Sequence, residues 1–182
     1  MKKLDPNNPI KVAIADDHAL FRAGVKTALN TKKDVELIAE ADNGMQLLNL
    51  LKHIEPDVIL LDIQMPIMDG IATLPEIRKI NPYVKVIILS MHNDHSMISK
   101  LMEIGANSYL TKNSDSETIY QAIKTCYEQE FYFNELTNKA LLTGLRTRKM
   151  EPDGMMDAQL TDKEVKILKL MCEEKTTKEI AD

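Results

Sequence analysis

The sequence predicts a doubly wound α/β protein on a five-stranded parallel sheet, followed by a short all-α segment. Three observations carry this. Uninterrupted apolar runs such as Val58-Ile59-Leu60-Leu61 and Val86-Ile87-Ile88-Leu89 are too short for helices and read as strands buried on both faces. Stretches with apolar residues at helical spacing follow each strand, so β and α patterns alternate through five units in about 130 residues. Such alternation requires right-handed crossovers, which place helices on both faces of a parallel sheet. Finally, the strands end on side chains that carry chemistry: Asp16-Asp17, Asp62, Ser90 and Lys112.

The first strand is Ile10–Ala15, after a polar tail. A helix follows over Ala19–Asn30, with Phe21, Val25, Ala28 and Leu29 on one face. The second strand is Val35–Ala39, and Asp42-Asn43-Gly44 makes a turn into a helix over Met45–Ile54. Pro56 precedes the third strand, Asp57–Asp62. Pro66 then blocks further ladder pairing and Asp69-Gly70 turns the chain into a helix over Ile71–Ile80. Pro75 is tolerable there only in or near the first turn. Lys85–Leu89 is the fourth strand, and Met97, Ile98, Leu101 and Met102 mark a short helix stopped by Gly105. Ser108–Thr111 is the fifth strand, and Asp115–Tyr127 the last helix of the alternating pattern.

From Glu130 the pattern changes. A further helix is expected over Asn134–Leu145 and a linker over Arg146–Gln159, whose Arg146, Arg148 and Lys149 read as a solvated face. Thr161 with Glu164, and Thr176 with Glu179, are capping boxes that open new helices. The expected organisation is therefore an α/β domain over 10–130, a helix and linker over 131–159, and the start of a second domain over 160–182.

Composition bounds the function classes. Apolar residues make up 44% and charged residues 28%, which excludes a disordered chain. There is no Trp, so the cores rest on aliphatic residues and Met. No apolar run approaches the roughly 20 residues of a membrane span, and no secretory h-region opens the chain. A cytoplasmic location follows, with Cys126 and Cys172 as free thiols that lack metal spacing. The net charge of −5 is not by itself a nucleic-acid footprint, but an acidic domain can mask a small basic one.

In a sheet of the flavodoxin-like order 2-1-3-4-5, the switch point lies between strands one and three, at their carboxyl ends. Asp16, Asp17 and Asp62 then converge, with Ser90 and Lys112 flanking them. Adjacent carboxylates are costly to bury without a neutralising cation, although Asp17 alone has an alternative role as helix cap. Three carboxylates against one Lys leave about two negative charges, which favours a divalent cation, and hard oxygen ligands suit Mg²⁺. Asp62 is then a nucleophile that forms an acyl phosphate, with Lys112 neutralising the phosphoryl oxygens and Ser90 donating to them.

Asp16-Asp17-His18, LLDIQMPIMDG, Ser90, and Gly105-Ala106 through Tyr109-Leu110-Thr111-Lys112 together resemble a two-component response regulator, over roughly Lys11 to Glu130. The resemblance implies that Asp62 accepts phosphate from a sensor histidine kinase. It implies direct Mg²⁺ ligation by Asp17, Asp62 and the Gln64 backbone carbonyl, with Asp16 acting through water. Ser90 and Tyr109 become a switch pair, in which the hydroxyl moves to the phosphoryl group and the ring turns inward. Lys112 contacts the phosphoryl oxygen. Asn113 departs from the pattern, standing where many receivers carry Pro.

The segment LTDKEVKILKLMCEEKTTKEIAD resembles the opening of the NarL/FixJ (LuxR-type) helix-turn-helix, and the Asp-Asp-His variant agrees with that subfamily. The resemblance implies DNA as a partner and a homodimer on phosphorylation. The recognition helix is expected to be missing from these 182 residues. It also implies a receiver that catalyses only its own phosphorylation and dephosphorylation. Two rivals stand beside this. A Mg²⁺-dependent phosphohydrolase with an Asp nucleophile usually carries a second acid where Gln64 stands. A phosphate sink or interaction switch would use the receiver without DNA binding. His18 has two readings, metal ligand or cap, and His92 and Gln64 either tune water access or are solvated loop residues.

Overall fold

The computed structural model describes residues 8–148. The segment expected to open a second domain, with its capping boxes and Cys172, lies outside them. The described chain runs β1 (Ile10–Ala15), α1 (Ala19–Leu29), β2 (Val35–Ala41), α2 (Gly44–Leu50), β3 (Val58–Asp62), α3 (Gly70–Ile80), β4 (Lys85–Ser90), α4 (His95–Ile104), β5 (Ser108–Thr111), α5 (Ser116–Gln129) and α6 (Glu135–Arg148). The five strands form one parallel sheet of order β2-β1-β3-β4-β5, as the sequence predicts.

β3 lies at the centre, and all five of its residues are buried. Its side chains alternate between two cores, as a strand requires. Val58 and Leu60 pack with Val25, Leu29, Ile119 and Ile123 from α1 and α5. Ile59 and Leu61 pack with Leu47, Leu74, Ile77, Ile98 and Leu101 from α2, α3 and α4. A run apolar at every position is thus the signature of a strand covered on both faces.

Several boundaries differ from expectation, each for a local reason. β2 continues to Ala41 because it is an edge strand, only partly buried, whose outer positions tolerate Glu36 and Glu40. α2 stops at Leu50, and the chain tightens through Lys52 N–H to Asn49 and His53 N–H to Leu50, both three-residue bonds. Leu51 and Ile54 thereby keep helical spacing outside the regular helix. Pro75 is the sixth residue of α3 and lies beyond the first turn, contrary to expectation. α4 starts two residues before Met97 because the Asp94 carboxylate caps it, accepting from Met97 N–H at 2.8 Å. α6 runs to Arg148, into the stretch expected to be linker.

α6 is fastened at its start by reciprocal capping. The Asn134 side chain accepts from Thr137 N–H at 2.9 Å, and Thr137 Oγ1 accepts from Asn134 N–H at 2.8 Å. Phe131 and Phe133 stack at 5.7 Å and enter the α2–α4 core with Ala140. Gly144 brings α6 close to α4: a Cβ there would lie 2.4 Å from Ser99 Oγ. Asn134 Nδ2 also donates to the Tyr109 carbonyl at 2.8 Å, along the outer edge of β5.

The amino ends of β4 and β5 are stapled by Arg78 and Asn107. Arg78 donates to the carbonyls of Gly105 and Val84, both at 2.7 Å, and to Asn107 Oδ1 at 2.9 Å. Asn107 Oδ1 also accepts from Val86 N–H at 2.9 Å, while its Nδ2 donates to the Glu130 carbonyl at 2.8 Å. Burial pushes the Arg78 guanidinium down to about 10, against the pull of Glu130, so it stays charged at neutral pH. Asn107→Ala strips partners from two donors, the Val86 amide and Arg78. The expected loss is about 3 kcal/mol of unfolding free energy, given ~1–3 kcal/mol per buried group left unsatisfied. Urea denaturation measures it, and a loss under about 1 kcal/mol would contradict the staple.

Candidate active site at the carboxyl ends of the strands

The sheet order brings the strand-end residues together. Asp16 follows β1, its amide bonded to the Ala41 carbonyl, and Asp62 is the last residue of β3. Lys112 follows β5, its amide bonded to the Ser90 carbonyl at 2.8 Å. Both carboxylates are buried, at 0% and 1% exposure. The Lys112 side chain is 7% exposed, and its Nζ lies 2.8 Å from Asp16 Oδ2 and 2.7 Å from Asp62 Oδ2. One ammonium thus holds two buried carboxylates.

Burial pushes the Asp62 carboxyl above its ordinary range, and Asp16 adds to this, while the Lys112 hydrogen bond opposes it. Burial pulls Lys112 down, but the adjacent Asp16 and Asp62 carboxylates outweigh that and leave it raised. Lys112 therefore stays charged, and Asp62 protonates more readily than a solvated carboxyl.

α1 begins directly over this pair. Its N-cap is His18, which makes no side-chain cap bond, so Asp17 is not the cap. Asp17 and His18 lie at the rim, with His18 Nδ1 at 2.7 Å from Asp17 Oδ1. Ligand atoms of Asp16, Asp17, His18 and Asp62 all fall within 4.8 Å of one another. Asp16 Oδ2 touches the ammonium but accepts no aligned hydrogen bond. A buried carboxylate oxygen left in that state, among three carboxylates and an imidazole, fits a divalent cation.

The loop after β3 frames the pocket. Gln64 N–H donates to Asp62 Oδ1 at 3.2 Å, and the Gln64 side chain is exposed. Met68 N–H bonds back to the Pro66 carbonyl at 2.7 Å, a three-residue turn that holds Ile67 at φ 69°. A β-branched residue there is strained. Gly70 closes the loop on the strand: its amide bonds to the Ile63 carbonyl at 2.9 Å, and a Cβ would lie 2.1 Å from the Asp62 carbonyl oxygen. The Asp69 carboxylate then caps α3 at Ala72 N–H, 2.7 Å.

Ser90 and Tyr109 meet at His92. Ser90 Oγ accepts from the His92 amide at 3.0 Å, and the buried Tyr109 donates its hydroxyl to the His92 carbonyl at 2.7 Å. The Tyr109 ring is thus inward, while the Ser90 hydroxyl is held on the loop rather than on Asp62.

Sequence reasoning missed two residues. Arg22 donates through Nη1 to the Asp16 carbonyl, and Phe21 places its ring 5.3 Å from Lys112 Nζ. Both lie one helical turn beyond the Asp-Asp-His run, and that spacing is the signal that would have flagged them.

The raised Asp62 carboxyl has a consequence for stability. The folded state holds its proton more tightly than the unfolded chain, so the ionised group weighs against folding once pH rises through the unfolded value and beyond. In metal-free buffer, Asp62→Asn is expected to raise the urea midpoint at pH 7. The gain should fade as pH falls below the unfolded carboxylate range. A lower midpoint at pH 7 would contradict this.

Comparison with known proteins agrees with the geometry. A family profile described as the response regulator receiver domain matches residues 12–124. The transcriptional regulatory protein DegU of Brevibacillus brevis is 33% identical over 162 residues, spanning 89% of this chain and 68% of that protein. The nitrate/nitrite response regulator NarL of Escherichia coli is 31% identical over 173 residues, spanning 95% and 80%. The receiver domain of a NarL response regulator from Mycobacterium tuberculosis superposes with a TM-score of 0.64 at 34% identity, covering 67% of this chain and 98% of that one. The chain belongs to the two-component response regulators, in the NarL/FixJ branch of LuxR-type regulators.

Proposed function

We propose that the chain is a phosphorylation-switched transcriptional regulator in which Asp62 accepts a phosphoryl group from a sensor histidine kinase. The observation that carries this is the single Lys112 ammonium shared by buried Asp16 and Asp62 at 2.8 and 2.7 Å. An Asp62 oxygen attacks phosphorus, the bond from phosphorus to the kinase imidazole breaks, and the imidazole nitrogen takes a proton. Lys112 is already placed to move from Asp62 to the new phosphoryl oxygens. Asp17, Asp62 and the Gln64 carbonyl would hold Mg²⁺ directly, with Asp16 acting through water. The cation supplies neutralisation of the phosphoryl charge.

A groove of about 660 Å³ between α1 and the start of α5, with Leu20, Phe21, Met91 and Ile119 in its lining, adjoins Lys112. It offers a protein donor an apolar surface beside the acceptor. No helix among the described residues is long and apolar enough to cross a membrane, and a cytoplasmic location belongs to this reading.

The response is a population shift. The Ser90 hydroxyl leaves the His92 amide for the phosphoryl group, which frees the loop between β4 and α4. Tyr109 is tied to that loop through the His92 carbonyl, and to α6 through Asn134. A moved loop therefore acts on α4 and α6 together. The output is homodimerisation and DNA binding through the segment that begins at Leu160, a reading supported by the relative DegU, a transcriptional regulatory protein.

Two outcomes test the reading. Acetyl phosphate with Mg²⁺ should add one phosphoryl group by intact mass, absent in Asp62→Asn and after chelation. Equal labelling of Asp62→Asn would sink the acceptor assignment. Ser90→Ala should keep its phosphorylation but fail to shift amide resonances in α4 and α6 with a phosphoryl mimic. A full wild-type shift in Ser90→Ala would remove Ser90 from the switch.

A further inference from the structure

We propose that Phe21 is a positioning residue for phosphoryl transfer at Asp62: its ring holds the Lys112 ammonium against the acid pair and keeps it out of the neighbouring groove. The proposal rests on the reading of Asp62 as phosphoryl acceptor. Three polar atoms lie close to the ammonium: Asp16 Oδ2 at 2.8 Å, Asp62 Oδ2 at 2.7 Å and His18 Nδ1 at 3.4 Å. The Phe21 ring is its further neighbour, with Nζ over it at 5.3 Å from the centroid. That is within the roughly 6 Å at which the negative face of an aromatic ring attracts a cation.

The ring is more than a piece of core. Phe21 is only partly buried, and it packs against the cluster that holds Val25, Leu29 and Ile119. It also lines the groove of about 660 Å³ between α1 and α5, and Lys112 lines the same groove. That groove is the open space into which a flexible four-carbon stem could swing its charge. The ring is fixed from α1. Arg22, the next residue, donates through Nη1 to the Asp16 carbonyl, and its amide bonds to the His18 carbonyl at 3.1 Å. The start of α1, and the ring with it, is thereby tied to the strand end that carries Asp16.

An aromatic face suits this duty where other side chains would not. It attracts the ammonium without claiming its hydrogen-bond donors. Those donors stay free for the carboxylates and then for the phosphoryl oxygens, where charge gathers during transfer. A hydroxyl or carboxylate in its place would compete for them. An aliphatic side chain would exert no such attraction, and the ammonium would spend part of its time hydrated in the groove. Positioning of this kind sets the fraction of molecules poised to react, so its loss slows transfer in proportion and leaves the chemistry unchanged.

The test follows phosphorylation of the 182-residue chain by acetyl phosphate with Mg²⁺, a donor too small to need a docking surface. Phe21→Leu should lose about three- to tenfold in rate, and Phe21→Tyr, which keeps the ring, less than about twofold. In NMR spectra, the Lys112 ε-methylene protons should lose their upfield ring-current shift in Phe21→Leu and keep it in Phe21→Tyr. In a Lys112→Met background no ammonium is left to hold, so Phe21→Leu should cost less than about 1.5-fold more. Equal rates for the Leu and Tyr variants overturn the assignment. So does a full loss from Phe21→Leu on top of Lys112→Met, which would make Phe21 a packing residue alone. Should Lys112→Met not fold, the Tyr rescue and the ring-current shift decide, and Lys112 protons without that shift in wild type overturn the assignment by themselves. A wild-type chain that shows the shift but takes no phosphoryl group removes the acceptor reading instead, and the positioning role falls with it.

Discussion

The bridge from Lys112 to Asp16 and Asp62 is the constraint on which the carboxyl end of this sheet depends. Two carboxylates buried to this degree repel each other and lose hydration, and only a partner of opposite charge makes the arrangement tolerable. That partner comes from β5, two strands away from β3 in the sheet, so the acid pair depends on the β3–β4 and β4–β5 registers both being correct. A slip of one residue in β5 would turn its neighbours to the opposite face and carry Lys112 away. The Lys112 amide bond to Ser90 sets that register at its last rung.

The two ends of the sheet contrast in how completely their polar groups are met. At the amino end, the Asn107 side chain makes three matched hydrogen bonds and Arg78 spends its donors on carbonyls and Asn107. That end is built to stay put. At the carboxyl end, Asp16 Oδ2 lacks an aligned bond, and Ile67 sits in a strained turn. Unmet polar groups and backbone strain cost stability, and they collect at the acid cluster, whose donor set fits a divalent cation.

Legibility in the sequence follows the same division. β3 and Asp62 were readable because burial on both faces removes every polar residue from the run, and the acid that ends it stands out. The five strands and the parallel sheet followed from alternation and handedness, whereas the order 2-1-3-4-5 was taken over from the flavodoxin-like fold rather than read from spacing. Helix ends were less readable, because side-chain bonds rather than periodicity set them: Asp94 lengthens α4, and α6 passes Leu145 without a stop signal in Arg146-Thr147-Arg148. Pro75 in the second turn of α3 could not be read from spacing either, since packing of Leu74 and Ile77 outweighs one lost hydrogen bond. In the site, charge balance located the acids and Lys112. It did not locate Arg22 or the orientation of His18, which depend on how α1 leaves the strand.

The placement of α6 constrains how the site can speak to anything downstream. The face made by α4 and the free edge of β5 is where a receiver switched through Ser90 and Tyr109 would express its change. Here that face is covered from within the chain, through Ala140, Gly144 and the Asn134 bond to Tyr109. The Gly144–Ser99 approach leaves no room for α4 to shift toward α6 without moving it. A displacement of the β4–α4 loop is therefore a displacement of α6, and α6 leads directly into the residues that precede Leu160.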